Sequence, residues 1–176
     1  PNGPLAQHFP GYELRTQQVE MLKKVELAFN DGHHLLAEAG TGVGKSVAYL
    51  LPAILFALQN QARVVISTNT LNLQEQLVQK DIPDLLNAIK DYPGIKSFRY
   101  SVLKGKANYL CLRRWAQIAS GNPLSRDEAR TLSRTLVWLQ DTTTGDKAEL
   151  NLNKRDGAIW ERLSAKGFSD CPGIRE

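Results

Sequence analysis

The chain has 176 residues, 42% hydrophobic and 23% charged, the balance of one ordinary soluble globular domain that buries its core without disulfide or metal staples. Its longest apolar run, VAYLLPAILFAL, covers only Val47 to Leu58 and contains Pro52, which excludes a membrane span and predicts a buried helix. The net charge of +4 and pI near 9.1 are mildly basic, and two cysteines, Cys111 and Cys171, are too few for a disulfide framework, so a reducing cytoplasm is the default compartment.

The opening PNGPLAQHF has no basic stretch followed by an apolar one, so no secretory signal is expected. From residue 15 to residue 30, Val19, Leu22, Val25 and Phe29 fall on one face of a predicted helix that Asp31-Gly32 ends. HLLAEA, residues 34–39, is a short apolar run of strand length, followed by a glycine-rich turn from Gly40 to Gly44 and a helix from near Lys45. RVVIST, residues 63–68, is rich in β-branched residues and predicts a second strand. A helical pattern runs from about Leu71 to Ile89, interrupted by Pro83, and SFRYSVL, residues 97–103, predicts a third strand. Strands alternating with helices predict an α/β fold with parallel pairing over residues 1–103.

The pattern changes after Leu103. Asn108 to Ala119 reads as helix, and Ser125-Arg-Asp-Glu128 fits a capping box ahead of a helix through Gln140. TTTGD, residues 142–146, is a polar connection, and a short helical piece lies around Ile159 to Leu163. With no strand pattern and no internal repeat, residues 104–176 read as a helical insertion attached to the α/β part.

Ala39-Gly40-Thr41-Gly42-Val43-Gly44-Lys45-Ser46 fits the Walker A pattern of a phosphate-binding loop except that Ala39 stands where the first Gly is usual. Gly40, Gly42 and Gly44 let the backbone bend so that successive N–H groups form a nest for anionic oxygens, and the following helix adds its positive end. In that loop Lys45 reaches the β- and γ-phosphates of a nucleoside triphosphate, and the Ser46 hydroxyl serves Mg²⁺. The alternative is a glycine-rich turn that binds nothing; the Lys-Ser pair in strand–turn–helix context favours a nucleoside triphosphate. Arg15 and Gln18 stand near the start of the preceding helix, where a Gln amide, one donor and one acceptor side, suits an adenine edge.

Charge is uneven. Tyr92 to Arg126 contains no Asp or Glu, yet holds Lys96, Arg99, Lys104, Lys106, Arg113, Arg114 and Arg126. Such a segment fits an anionic partner, nucleic acid first, or a solvated basic face.

YELRTQQVEM, EAGTGVGKSVAYLLPAI, VVISTNTLNLQEQLVQKDIP and LKGKANYLCLRR, in that order, resemble the start of a DinG-type DNA helicase, the bacterial branch of the XPD-like, iron–sulfur-containing superfamily 2 helicases. The resemblance runs from about Tyr12 to Cys171, and helicases of this superfamily commonly carry Ala at the position of Ala39. It implies a RecA-like sheet, partial here, with a helical iron–sulfur insertion. It also implies that Arg15 and Gln18 read adenine and that Lys45 and Ser46 take the Walker A roles. Thr68, Asn69 and Thr70 would contact the backbone of single-stranded DNA, and Lys104, Lys106, Arg113 and Arg114 would follow its path, with Tyr109 and Trp115 either stacking on bases or filling the core. Cys111 and Cys171 would supply two thiolates of a [4Fe–4S] cluster, the other ligands lying past Glu176.

No apolar strand ending in Asp-Glu follows to serve as a Walker B box. The expectation is therefore an N-terminal fragment of the first motor domain of a monomeric, ATP-driven helicase, without unwinding activity alone and with no role at a membrane. A different P-loop NTPase or a small-molecule kinase is the alternative, as is a nucleic-acid-binding module with a vestigial loop.

Overall fold

A computed structural model describes residues 3–9, 11–40, 42–121 and 124–167. The chain divides into two compact units, one ending at Val102 and the other beginning at Leu103.

The first unit is built from helices. α1 (Pro4–His8) is a single short turn with Pro at its start, where the missing N–H costs nothing. α2 (Thr16–Asp31) ends at Gly32, whose φ of 65° is the left-handed conformation of a helix C-cap. The stripe of Val19, Leu22, Val25 and Phe29 is half-buried and α2 packs along α3 (Lys45–Asn60), where the rings of Phe29 and Phe56 stack 4.9 Å apart. α3 carries the apolar run predicted to be buried: Ala48, Leu50, Pro52, Ala53 and Ile54 are all inside.

α4 (Leu71–Gln76) runs through a wide π-helical turn, Leu77–Asp81, into α5 (Ile82–Ala88). Pro83 explains the widening. Its ring crowds the preceding turn and it has no N–H to donate, so the helix opens by one residue just before it rather than stopping. Leu50 and Ile54 of α3 meet Leu77, Ile82 and Leu85 of this composite helix, together with Ile95, to form the core of the unit.

The expected sheet is not formed. Among the described residues no strand is present; residues 34–39 and 63–68 run without ladder hydrogen bonds, and of the expected strand 97–103 Ser97 closes a 3₁₀ turn, Ile95–Ser97, while 98–103 stay unpaired. A strand is made by its neighbour's N–H and C=O groups, so an apolar β-branched run lacking a partner stays unpaired however strong its pattern. The cost is visible at Leu36, Val65 and Leu103, which are 101%, 89% and 84% exposed.

The second unit is also helical, with α6 (Leu112–Ala119), α7 (Arg126–Trp138) and α8 (Lys154–Leu163). The Ser125–Glu128 capping box is present at α7. A second one, Asn153–Asp156, starts α8. Leu132, Ile159 and Leu163 form the core, with Leu110, Trp115 and Ile118 against it. Two isolated antiparallel bridges, Tyr109–Asp146 and Leu110–Ser164, tie the entering chain to the far end of the unit.

Asp156 organises this packing. Fully buried, it receives Arg130 and Arg134, each at 2.8 Å, and the Thr131 hydroxyl at 3.1 Å. Burial pushes its carboxyl up, but the hydrogen bonds from the Asn153 backbone, Arg130 and Thr131 and the charge of Arg130 outweigh that and hold it below its ordinary value.

Candidate nucleotide site

The glycine loop is shaped by its own conformation and by side chains from α2. Gly42 and Gly44 have φ of 77° and 81°, a region open to glycine at little cost. Gly44 is the N-cap of α3, which makes Lys45 and Ser46 the first two helical residues. The 16-residue α3 therefore directs unpaired N–H groups and the positive end of its dipole to the loop.

Arg15 and Gln18 act on the loop backbone. The Arg15 guanidinium donates to the carbonyl of Gly42, and the Gln18 amide nitrogen donates to the carbonyl of Gly44 at 3.0 Å. Gln18 is only 7% exposed and lies so close to the Gly44 Cα that a side chain there would collide with its amide. These contacts hold loop carbonyls by their oxygens from the α2 side. The spacing of Arg15 and Gln18 on one helical turn was legible in the sequence, but their grip on the loop was not. Lys45 Nζ rests 2.8 Å from the carbonyl of Ala39, so the ammonium spans the loop from its last residue to its first. Thr41 lies outside the described residues. Ser46 is half-buried at the second position of α3, with Tyr49 three residues further along the same helix.

The family comparison is consistent with this site. The DEAD/DEAH box helicase family is matched over residues 15–118, a stretch that begins at Arg15 and holds the whole loop. The chain belongs to the DEAD/DEAH box helicase family. It is 39% identical over 160 residues to the 3'-5' exonuclease DinG of Bacillus subtilis, covering 91% of this chain and 17% of that protein. It is 37% identical to the ATP-dependent DNA helicase YoaA of Haemophilus influenzae, with 99% and 27% covered. To the ATP-dependent helicase DinG of Mycobacterium tuberculosis it is 36% identical, with 93% and 26% covered. The chain thus spans 17% to 27% of the length of these relatives.

The residues expected to meet nucleic acid have diverse surroundings. Thr70 caps α4, its hydroxyl accepting from the Leu73 N–H at 3.3 Å, and the Thr68 hydroxyl donates to the Thr70 carbonyl at 3.2 Å. Asn69 between them is exposed. Lys104 is inside the second unit: its side chain is 5% exposed and its ammonium lies 2.7 Å from the buried Asp146 carboxylate. That is a structural ion pair, and Lys104 does not present its charge to solvent. Lys106 and Arg113 are exposed, while Arg114 is half-buried and donates to the Ser164 carbonyl at 3.1 Å. The aromatic residues serve the packing. Trp115 donates to the Thr135 hydroxyl at 2.7 Å, and the Tyr109 hydroxyl accepts the Lys104 backbone N–H at 2.8 Å.

Cys111 is a half-buried free thiol at the N-cap of α6. It lines a cavity of about 230 Å³ with Arg113, Arg114, Gln117 and Lys166. Cys171 lies outside the described residues. Among the described residues no group of three or more His, Cys, Asp or Glu converges as a metal site. A [4Fe–4S] cluster requires four thiolates, so the described residues alone do not hold one. No described helix is long and apolar enough to cross a membrane.

Proposed function

We propose that the chain forms part of the first motor domain of a cytoplasmic, monomeric ATP-dependent DNA helicase that moves along single-stranded DNA. The observation that carries this reading is the glycine loop on the N-terminus of α3, held from α2 by Arg15 and Gln18, inside the matched family segment. The relatives' names divide between exonuclease and helicase; the loop supports the motor for this segment.

In this reading the loop N–H groups and the end of α3 bind the triphosphate. Lys45 leaves the Ala39 carbonyl, or shares its three N–H donors with it, to neutralise the β- and γ-phosphates. Gln18 has two amide N–H groups and one carbonyl. With one N–H on Gly44, the other N–H and the carbonyl are left for an adenine edge, so one side chain serves base and loop together. Bound Mg²⁺ supplies charge neutralisation at the phosphates, and the Ser46 hydroxyl is the one described group that would hold it.

Thr68, Asn69, Thr70, Lys106, Arg113 and Arg114 would line the DNA path by phosphate contacts. Cys111 and Cys171 would contribute two ligands of a cluster completed outside this chain. The unpaired segments 34–39, 63–68 and 98–103 would become strands of a RecA-like parallel sheet once the rest of the protein supplies their neighbours, with residues 104–176 as the helical insertion. The test is ATP hydrolysis by the intact protein, purified anaerobically, with and without single-stranded DNA. Strong stimulation by DNA that disappears in Lys45→Ala is expected. Hydrolysis indifferent to nucleic acid would turn the reading toward another P-loop NTPase or a small-molecule kinase.

A further inference from the structure

Arg113, Arg114, Gln117 and Lys166 line the cavity of about 230 Å³ in the second unit, together with Cys111 and residues 165–167. Arg113 and Arg114 precede Gln117 on α6 by four and three residues, so the three side chains share one face of the helix. Lys166 enters from the chain that follows α8. Three of these side chains are cations and the fourth is an amide; among the described residues no carboxylate lines the cavity. Cations that share one concave space add their potentials there and draw in an anion.

The backbone fixes the walls. The Cys111 N–H donates to the Leu163 carbonyl at 2.9 Å and the Ala165 N–H to the Tyr109 carbonyl at 2.8 Å, which sets the start of α6 beside residues 165–167. Arg114 donates to the Ser164 carbonyl at 3.1 Å, and this bond holds its guanidinium at the wall while the other N–H groups remain to donate. Guanidinium and ammonium groups only donate, and the Gln117 amide adds two more N–H groups. A phosphate is the matching ligand, because its oxygens only accept and point several ways at once, toward α6 on one side and Lys166 on the other.

We propose that this cavity seats one phosphate group of a nucleic-acid backbone, with Gln117 and Lys166 as binding residues beside Arg113 and Arg114. The seat itself rests on the cavity and its donors; its assignment to nucleic acid rests on the helicase reading. It makes the second unit hold the strand at one fixed phosphate rather than across a flat basic face. The Cys111 thiol opens on the same cavity, so its accessibility reports whether the seat is filled.

The experiment follows alkylation of Cys111 by iodoacetamide in the chain, resolved from Cys171 by peptide mass spectrometry. Inorganic phosphate or a short oligothymidylate is titrated in, with chloride at matched ionic strength as the control. The rate is expected to fall and saturate with phosphate, and to do so at lower concentration with the oligonucleotide, whose neighbouring phosphates add contacts. Lys166→Ala is expected to raise the phosphate midpoint about threefold to tenfold and Gln117→Ala about twofold to fivefold, the scales of a charged and a neutral hydrogen bond. Both residues are exposed, so neither change disturbs the core, and Lys154→Ala, exposed on α8 away from the cavity lining, should leave the midpoint where it is. An alkylation rate indifferent to phosphate, or a midpoint unmoved in both cavity variants, would overturn the seat and leave the helicase reading standing. Protection by phosphate that the oligonucleotide does not improve would overturn the assignment to nucleic acid. Failure of the helicase reading shows elsewhere, as ATP hydrolysis indifferent to DNA in the intact protein.

Discussion

Gln18→Ala separates two roles that a base-reading glutamine and a loop-holding glutamine would otherwise share. The substitution removes the donor to the Gly44 carbonyl and opens space beside the Gly44 Cα, while the Arg15 tie to the Gly42 carbonyl stays. A neutral hydrogen bond of this kind contributes about 1 kcal/mol, roughly fivefold in a dissociation constant. Part of that stabilisation holds the loop in the shape that receives phosphate, so it should be lost even to a ligand with no base. Inorganic tripolyphosphate is that ligand. Competition against a fluorescent nucleotide should give a tripolyphosphate Kd raised about twofold to tenfold in Gln18→Ala, and a larger loss for ATP, which also forfeits its adenine contacts. Gln18→Glu should fare no better, because an ionised carboxylate has no donor for a carbonyl. A tripolyphosphate Kd unchanged in Gln18→Ala, with ATP binding weakened, would refute the argument and leave Gln18 a base reader only.

Three further outcomes follow from the second unit. Asp156→Ala strips the acceptor from Arg130, Arg134 and Thr131 and undoes the α8 capping box; a loss of about 3 kcal/mol is expected, read as a lower Tm in thermal denaturation. Because its folded pKa is lowered, the Asp156 contribution is full above the unfolded-chain value of about 3.9 and is lost as pH falls through the lower folded value. The Tm gap between wild type and Asp156→Ala should therefore narrow on acidification, and a gap that widens would contradict the sign. Lys104→Ala leaves Asp146 buried without its cation and should cost about 3 kcal/mol of stability, whereas Lys106→Ala should, in the intact protein, lower the slope of log Kd for single-stranded DNA against log salt by about 1.

What the sequence disclosed about the fold divides by the range of the interaction involved. The α2 stripe, the Gly32 stop, the buried run of α3 and the Ser125–Glu128 box depend on residues within a few positions of each other, and all are present in the structure. Pro83 was legible as an interruption, though its effect is a π-helical turn rather than a break, because the chain on both sides has apolar residues to bury in one core. The segments at 34–39, 63–68 and 98–103 have strand-forming compositions, yet composition supplies only one side of a ladder. Among the described residues nothing pairs with them, so the pattern stands without a ladder.

The site divides in the same way. Gly42, Gly44, Lys45 and Ser46 form a local motif whose conformation follows from glycine and a helix start, and their places could be assigned from spacing alone. Arg15 and Gln18 could be placed near the loop, but a side-chain donor aimed at a backbone carbonyl more than twenty residues away leaves no spacing rule behind. Lys104 shows the opposite error. In a run free of acidic residues it reads as an exposed cation, but the acidic partner that buries it, Asp146, comes 42 residues later. Charge patterning along a sequence ignores what the chain brings back, and a lysine that pairs across the fold has the same local signature as one that meets a phosphate. Exposure decides between them, which is why Lys106 and Arg113 stay in the DNA reading and Lys104 leaves it.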